Sequence, residues 1–234
     1  MTEPLEPAAP FAKLTLAEFV DRLASAAPVP GGGSASAIAA SLAASLVAMV
    51  AQLSRKQPFV QHAELHDQAE RAGRELAARL LRLADEDAAA FATFARALKL
   101  PRMTDDERAA RDSAKRAAAR VAAEVPLQCV EACYEVVVAA ESLAGRCNMN
   151  ASSDLTVASL LAEAGARGAA ANVRVNLPSV GDDAWAARVE ERVAWLLQRV
   201  STSATDCRDI VASGATREPL TSLASMRAAG VNPG

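Results

Sequence analysis

The run Pro28-Val29-Pro30-Gly31-Gly32-Gly33-Ser34, with the helix it opens, Ala35-Ser36-Ala37-Ile38-Ala39-Ala40-Ser41-Leu42-Ala43-Ala44-Ser45, decides how the chain folds. Two prolines fix φ on the approach and three glycines accept φ > 0, so the backbone can turn sharply and present bare N–H groups. A helix N-terminus carries unpaired donors and a partial positive charge, which attract anions. That makes Gly31, Gly32, Gly33 and Ser34 candidate ligand contacts. The same residues also read as a tight turn with Ser34 as a helix cap, and spacing alone leaves both readings open. From Ser34 to about Ser54 the helix is small or apolar nearly all round, the pattern of a helix buried at the centre of a bundle or in a dimer contact. Rich in alanine and carrying Ser36, Ser41, Ser45 and Gln52, it reads as weakly hydrophobic for a membrane span.

Outward from this helix the pattern stays helical. Thr15 with Glu18, and Thr104 with Glu107, are capping boxes. A long helix is predicted over 61–100, with Leu65, Ala72, Leu76, Leu80, Leu83, Asp87, Phe91, Phe94 and Leu98 on one core-facing stripe. The helix opened by Thr104 runs to Val125, where Pro126 either kinks it or restarts it to about Ala144. Ser152-Ser153-Asp154 is expected to cap a second small-residue helix ending near Asn176, and a final helix spans 183–213. The expected fold is all-α: a helical bundle of long, closely packed helices with two small-residue core helices. Residues 13–213 form one domain, 1–12 a disordered tail and 214–234 a frayed one.

Composition narrows the function. With 234 residues, 3% aromatics and a net charge of −3, the chain has neither the basic footprint nor the stacking surface of a nucleic-acid binder. The four cysteines include no CxxC pair and read as buried thiols. His62 and His66 share a helix face with no third ligand, so they read as exposed side chains rather than a metal pair. The first ten residues hold no apolar signal core, so the expected location is cytoplasmic.

Asp87 is the anomaly. A carboxylate on an apolar stripe is costly unless paired or hydrogen-bonded, and such acids gather at active sites. The alternatives are a proton-handling group or a polar staple to a neighbouring helix.

Four stretches in order extend this reading: Pro30-Gly31-Gly32-Gly33-Ser34; Asp85-Glu86-Asp87-Ala88-Ala89-Ala90-Phe91; Leu100-Pro101-Arg102-Met103-Thr104 with Glu107 and Arg111; and Ser153-Asp154-Leu155-Thr156-Val157-Ala158 with Asn172-Val173-Arg174-Val175-Asn176-Leu177. Together they resemble the cyclodeaminase/cyclohydrolase family over roughly residues 13–212. The resemblance implies an all-α homodimer acting on one-carbon tetrahydrofolates, with neither metal nor cofactor. Two reactions fit: hydrolysis of 5,10-methenyltetrahydrofolate to the 10-formyl form, and ring closure of 5-formiminotetrahydrofolate with release of ammonia. The absence of a transferase half favours the hydrolysis. For such a substrate Asp87 is the proton-handling candidate and Asp154 the candidate for the pterin edge, with the two roles exchangeable. Arg55, Lys56, Arg102 and the Gly31–Ser34 turn are candidates for the anionic glutamate tail, with Asn148 and Ser153 as further polar contacts. The competing class is a non-catalytic helical scaffold.

Overall fold

The computed structural model describes residues 10–56 and 58–220. The described residues form six α-helices: α1 (Leu16–Leu23), α2 (Gly32–Leu53), α3 (Ala63–Leu98), α4 (Asp105–Leu143), α5 (Ser152–Asn176) and α6 (Asp183–Ser213). No strand occurs among the described residues. Both capping boxes form, with Thr15 and Thr104 each accepting from the backbone N–H of the glutamate three residues on.

α2 is the inner helix, flanked by α3 and α5, which run antiparallel to it, and backed by α4. Its small side chains let the neighbouring backbones close in. A Cβ on Gly73 of α3 would lie 2.7 Å from the Ala44 carbonyl oxygen, and one on Gly165 of α5 would lie 2.9 Å from that of Ser36. Ser41 Oγ donates to the Ala77 carbonyl at 2.9 Å, tying α2 to α3. By length and composition α2 does qualify as a membrane-crossing helix, against the weak hydrophobicity read from its serines; more than half of that stretch is buried within the bundle.

Several boundaries differ from expectation, each for a visible reason. α2 begins at Gly32, so the glycines lie in the first turn and Ser34 is not a cap. α4 continues through Pro126 as one helix. Proline removes the N–H that would reach the carbonyl four residues back, at Ala122. That carbonyl instead accepts from Asn176 Nδ2 at 2.9 Å. α5 has Ala151 at its N-cap and no side-chain cap, because a 3-10 turn over Met149–Ala151 leads straight into it. His62 and His66 are buried, not exposed. His66 Nε2 donates to the Arg146 carbonyl at 2.8 Å, and burial lowers the His62 pKa. All four cysteines are buried free thiols, as expected.

The terminal tails expected at 1–12 and 214–234 lie mainly outside the described residues. Their described parts are held. Phe11 N–H donates to Asp85 Oδ1 at 2.8 Å. Arg217 donates to Glu141 Oε1 at 2.7 Å, and Arg146 Nε to the Glu218 carbonyl at 2.7 Å.

Candidate active site

The anion at the N-terminus of α2 belongs to the protein itself. Gly31 is the N-cap, with Gly32 and Gly33 following in the first turn. None of the three has positive φ, so the turn does not use glycine's left-handed freedom. What it uses is the missing side chain. A Cβ on Gly33 would lie 2.5 Å from the Asp87 carboxyl carbon, whereas one on Gly32 would meet nothing closer than Asn172 Nδ2 at 3.8 Å. Asp87 therefore rests on bare backbone.

Ser34 holds it there from two directions. Its backbone N–H donates to Asp87, and its Oγ lies 3.2 Å from Asp87 Oδ2 and 3.0 Å from the Ala84 carbonyl. The hydroxyl has one hydrogen and two acceptors. When Asp87 is ionised the hydrogen belongs with the carboxylate. When Asp87 is protonated it returns to Ala84. Burial pushes the Asp87 pKa above the usual aspartate value, and the two Ser34 hydrogen bonds oppose that push without cancelling it. The group can thus take up and release a proton at the floor of a cleft.

That cleft is a cavity of about 400 Å³. α2 and its approach supply Pro28, Val29 and Gly31–Gly33, α3 supplies Asp87, Phe91 and Phe94, and the end of α5 supplies Asn172, Val175 and Asn176. Phe91 and Leu98, expected in the core, are exposed, so the stripe leaves the core at Asp87 and becomes the cavity wall. No lysine or arginine among the described residues lines the cavity. Its polar groups are chiefly a carboxylate and two amides, which suits a flat ligand with a cationic or N–H-rich part. The sequence reading passed over Phe91 and Phe94 as core, and over Asn172 and Asn176 as site residues. Period 3.6 cannot separate a core face from a cavity wall, and the signals for the asparagines are two amides spaced four apart and their place in the Asn172–Leu177 stretch that carries the family resemblance.

The other candidates sit elsewhere in the chain. Arg55 lies 22 residues from Gly33, about 33 Å along a helix. It is paired with Asp67 and Glu70, which neutralise it locally. Lys56 beside it is exposed. Asn148 binds the same end of α2, its backbone N–H donating to Ser54 Oγ at 2.8 Å, while its Oδ1 accepts from Asn150 N–H. Ser153 and Asp154 stand in the first turn of α5, 18 residues before Asn172, or about 27 Å along the helix. The structure thus gathers Gly31, Gly32, Gly33, Ser34 and Asp87 at one end of α2, and Arg55, Lys56, Asn148, Ser153 and Asp154 toward the other. Arg102 lies in the exposed α3–α4 connection. No group of three or more metal-ligating side chains occurs among the described residues.

Known proteins share both sequence and fold with this chain. It is 41% identical over 181 residues to a methenyltetrahydrofolate cyclohydrolase of Methylorubrum extorquens, a match covering 76% of this chain and 85% of the relative. It is 35% identical over 199 residues to the formimidoyltransferase-cyclodeaminase of Rattus norvegicus, covering 81% of this chain but only 35% of that longer protein. The crystal structure of formiminotetrahydrofolate cyclodeaminase from Thermotoga maritima superposes with a TM-score of 0.78 at 25% identity, over 86% of this chain and 98% of that one. The formiminotransferase-cyclodeaminase family model matches residues 15–194, which take in α1 to α5 and every wall of the cavity. The chain belongs to the formiminotransferase-cyclodeaminase family.

Proposed function

We propose that this protein is a folate one-carbon enzyme that hydrolyses 5,10-methenyltetrahydrofolate to 10-formyltetrahydrofolate. One observation carries the reading: a carboxylate of raised pKa lies on bare backbone at the floor of a cavity walled by two phenylalanines and lined by no lysine or arginine among the described residues. The methenyl bridge is a cationic amidinium on a flat ring system. Phenylalanine faces accept the ring, and an ionised Asp87 stabilises the cation.

The chemistry balances on one carboxylate. Asp87 accepts a proton from water as its oxygen bonds to the methenyl carbon, giving a neutral hydroxyl adduct. The carboxylic acid returns that proton to N5 as the N5–carbon bond breaks. The hydroxyl proton then leaves for solvent as the formyl carbonyl forms, so one water is consumed and one proton released. Ser34 follows each transfer by moving its hydroxyl hydrogen between Asp87 and Ala84.

The similarity to the Thermotoga cyclodeaminase favours a second reaction at the same carbon, in which N10 attacks a formimino group and ammonia leaves. The 41% identity to the cyclohydrolase places hydrolysis first. Ammonia release from 5-formiminotetrahydrofolate and loss of the methenyl absorbance, corrected for spontaneous hydrolysis, separate the two. Hydrolysis without ammonia supports the first, and ammonia with little hydrolysis overturns it.

The raised pKa sets a pH dependence. Asp87 must be ionised to act as base, so kcat falls as pH drops through its folded value, which burial raises above that of a solvent-exposed aspartate. A pH–rate profile of the corrected rate checks this. A kcat independent of pH across the acid range contradicts it.

The two polar groups at opposite ends of α2 meet only if a second copy supplies one of them. The outer face of α2 carries Ala35, Ile38, Ala39, Leu42, Leu46, Met49 and Leu53 with no charged residue, and Leu42 and Leu53 are exposed. The reading is a homodimer in which this face packs antiparallel on its copy, bringing the partner's Arg55, Lys56 and Asp154 toward the glycine end. The partner's Lys56 then offers a cation to the glutamate tail. Leu42→Glu should yield a monomer by sedimentation and lose most turnover; a fully active monomer overturns the shared site.

A further inference from the structure

Asn176 has its amide orientation forced by the proline of a different helix. Its Nδ2 donates to the Ala122 carbonyl at 2.9 Å and to the Asn172 carbonyl at 2.9 Å. Both partners are backbone carbonyls, which only accept, so the NH₂ group must face them and the amide cannot flip. Ala122 is open to this contact because Pro126, four residues on, has no N–H to give it. Both amide hydrogens are therefore engaged. The oxygen is the free end, and it has no hydrogen-bond partner among the described residues. Asn176 and Ala122 both line the cavity that holds Asp87.

We propose that Asn176 is a specificity residue whose Oδ1 accepts a hydrogen bond from the N–H edge of the bound tetrahydropterin, and that Pro126 is the positioning residue that keeps this oxygen turned to the ligand. The inference deepens the folate reading and rests on it. It fits the cavity's chemistry, where the Asp87 carboxylate and the Asn176 oxygen are acceptors and a reduced pterin carries several ring N–H donors. It also places a pterin-recognising group in the cleft of the same chain as Asp87, where that chain's own Asp154, about 27 Å along α5 from Asn172, does not reach. A proline inside a 39-residue helix is otherwise a pure loss of helix stability. Here it frees a carbonyl that aims a ligand-binding amide.

The test is a double-mutant cycle read by two measurements, melting temperature and the Kd for 5-formyltetrahydrofolate, a non-reacting analogue. Asn176→Ala alone orphans the Ala122 carbonyl and removes the acceptor, so the protein melts lower and binds about tenfold or more weakly. Pro126→Ala restores the N–H to Ala122, so the protein melts higher, while the released amide lets binding weaken severalfold. In Pro126→Ala/Asn176→Ala the melting temperature recovers because Ala122 is satisfied from within α4, yet the tenfold loss of affinity stays. A double variant that recovers both stability and affinity overturns the proposal, since Asn176 would then serve the fold alone. A wild-type protein that does not bind 5-formyltetrahydrofolate overturns the folate reading itself, a failure distinct from that of Asn176.

Discussion

Asp87→Asn should lose about 10²–10⁴-fold in kcat while the protein melts at a higher temperature at pH 7. The two halves of this result have one cause. Burial raises the Asp87 pKa, so the folded protein holds that proton more tightly than the unfolded chain does. The contribution of Asp87 to stability is then complete below the unfolded value and is lost as pH rises through the folded one. At neutral pH an ionised Asp87 is a half-buried charge that the fold tolerates for its chemistry. The asparagine amide still accepts from the Ser34 N–H and hydroxyl, so the packing of α3 on α2 is kept without the charge. Its oxygen cannot take the proton of the attacking water. Calorimetric melting and the corrected rate of methenyl loss check both halves. Near-normal turnover removes Asp87 from the reaction, and a lower melting temperature makes it a structural staple.

The second large effect belongs to Gly33. An alanine in the first turn of a helix ordinarily gains about 0.5–1 kcal/mol over glycine. Gly33→Ala should do the opposite, because its methyl would enter the space of the Asp87 carboxyl. Either the carboxylate leaves its place over the backbone or α3 draws back from α2. A displacement of an ångström is enough to cost about 10² in rate. The expected result is a drop of that order in kcat/KM with helix content unchanged by circular dichroism. Full activity in Gly33→Ala would show that the carboxylate has slack the structure does not give it. The glycine run thus matters at a position other than the one a ligand cradle suggests: Gly32 has room for a side chain and Gly33 has none.

Much of the fold was legible because local chemistry and tertiary packing agree. The capping boxes at Thr15 and Thr104 form, the last helix spans Asp183–Ser213 as expected, and the small-residue helices around Ala40 and Ala166 do lie at the centre. Asp87 stood out in the sequence for the same reason it stands out in the structure, as a charge on an apolar face. The rest depended on partners far along the chain. The continuity of α4 through Pro126 rests on an amide fifty residues later, at Asn176. The burial of His66 rests on a carbonyl at Arg146. The pairing of Arg55, a candidate for the glutamate tail, rests on Asp67 and Glu70 across a turn on α3. At the N-terminus of α2, where the sequence leaves a ligand and a capped turn both open, the chain places its own Asp87 carboxylate, and Gly31, Gly32 and Gly33 also line the cavity.

The account stands on where the methenyl carbon comes to rest. A crystal of Asp87→Asn grown with 5,10-methenyltetrahydrofolate, in which turnover is too slow to consume the ligand, measures this directly. The account predicts the bridge carbon against the side chain of residue 87, the pterin between the phenylalanine wall and the α2 glycines, and the Asn176 oxygen on a ring N–H. Folate bound at any other surface, with the cleft empty, contradicts it.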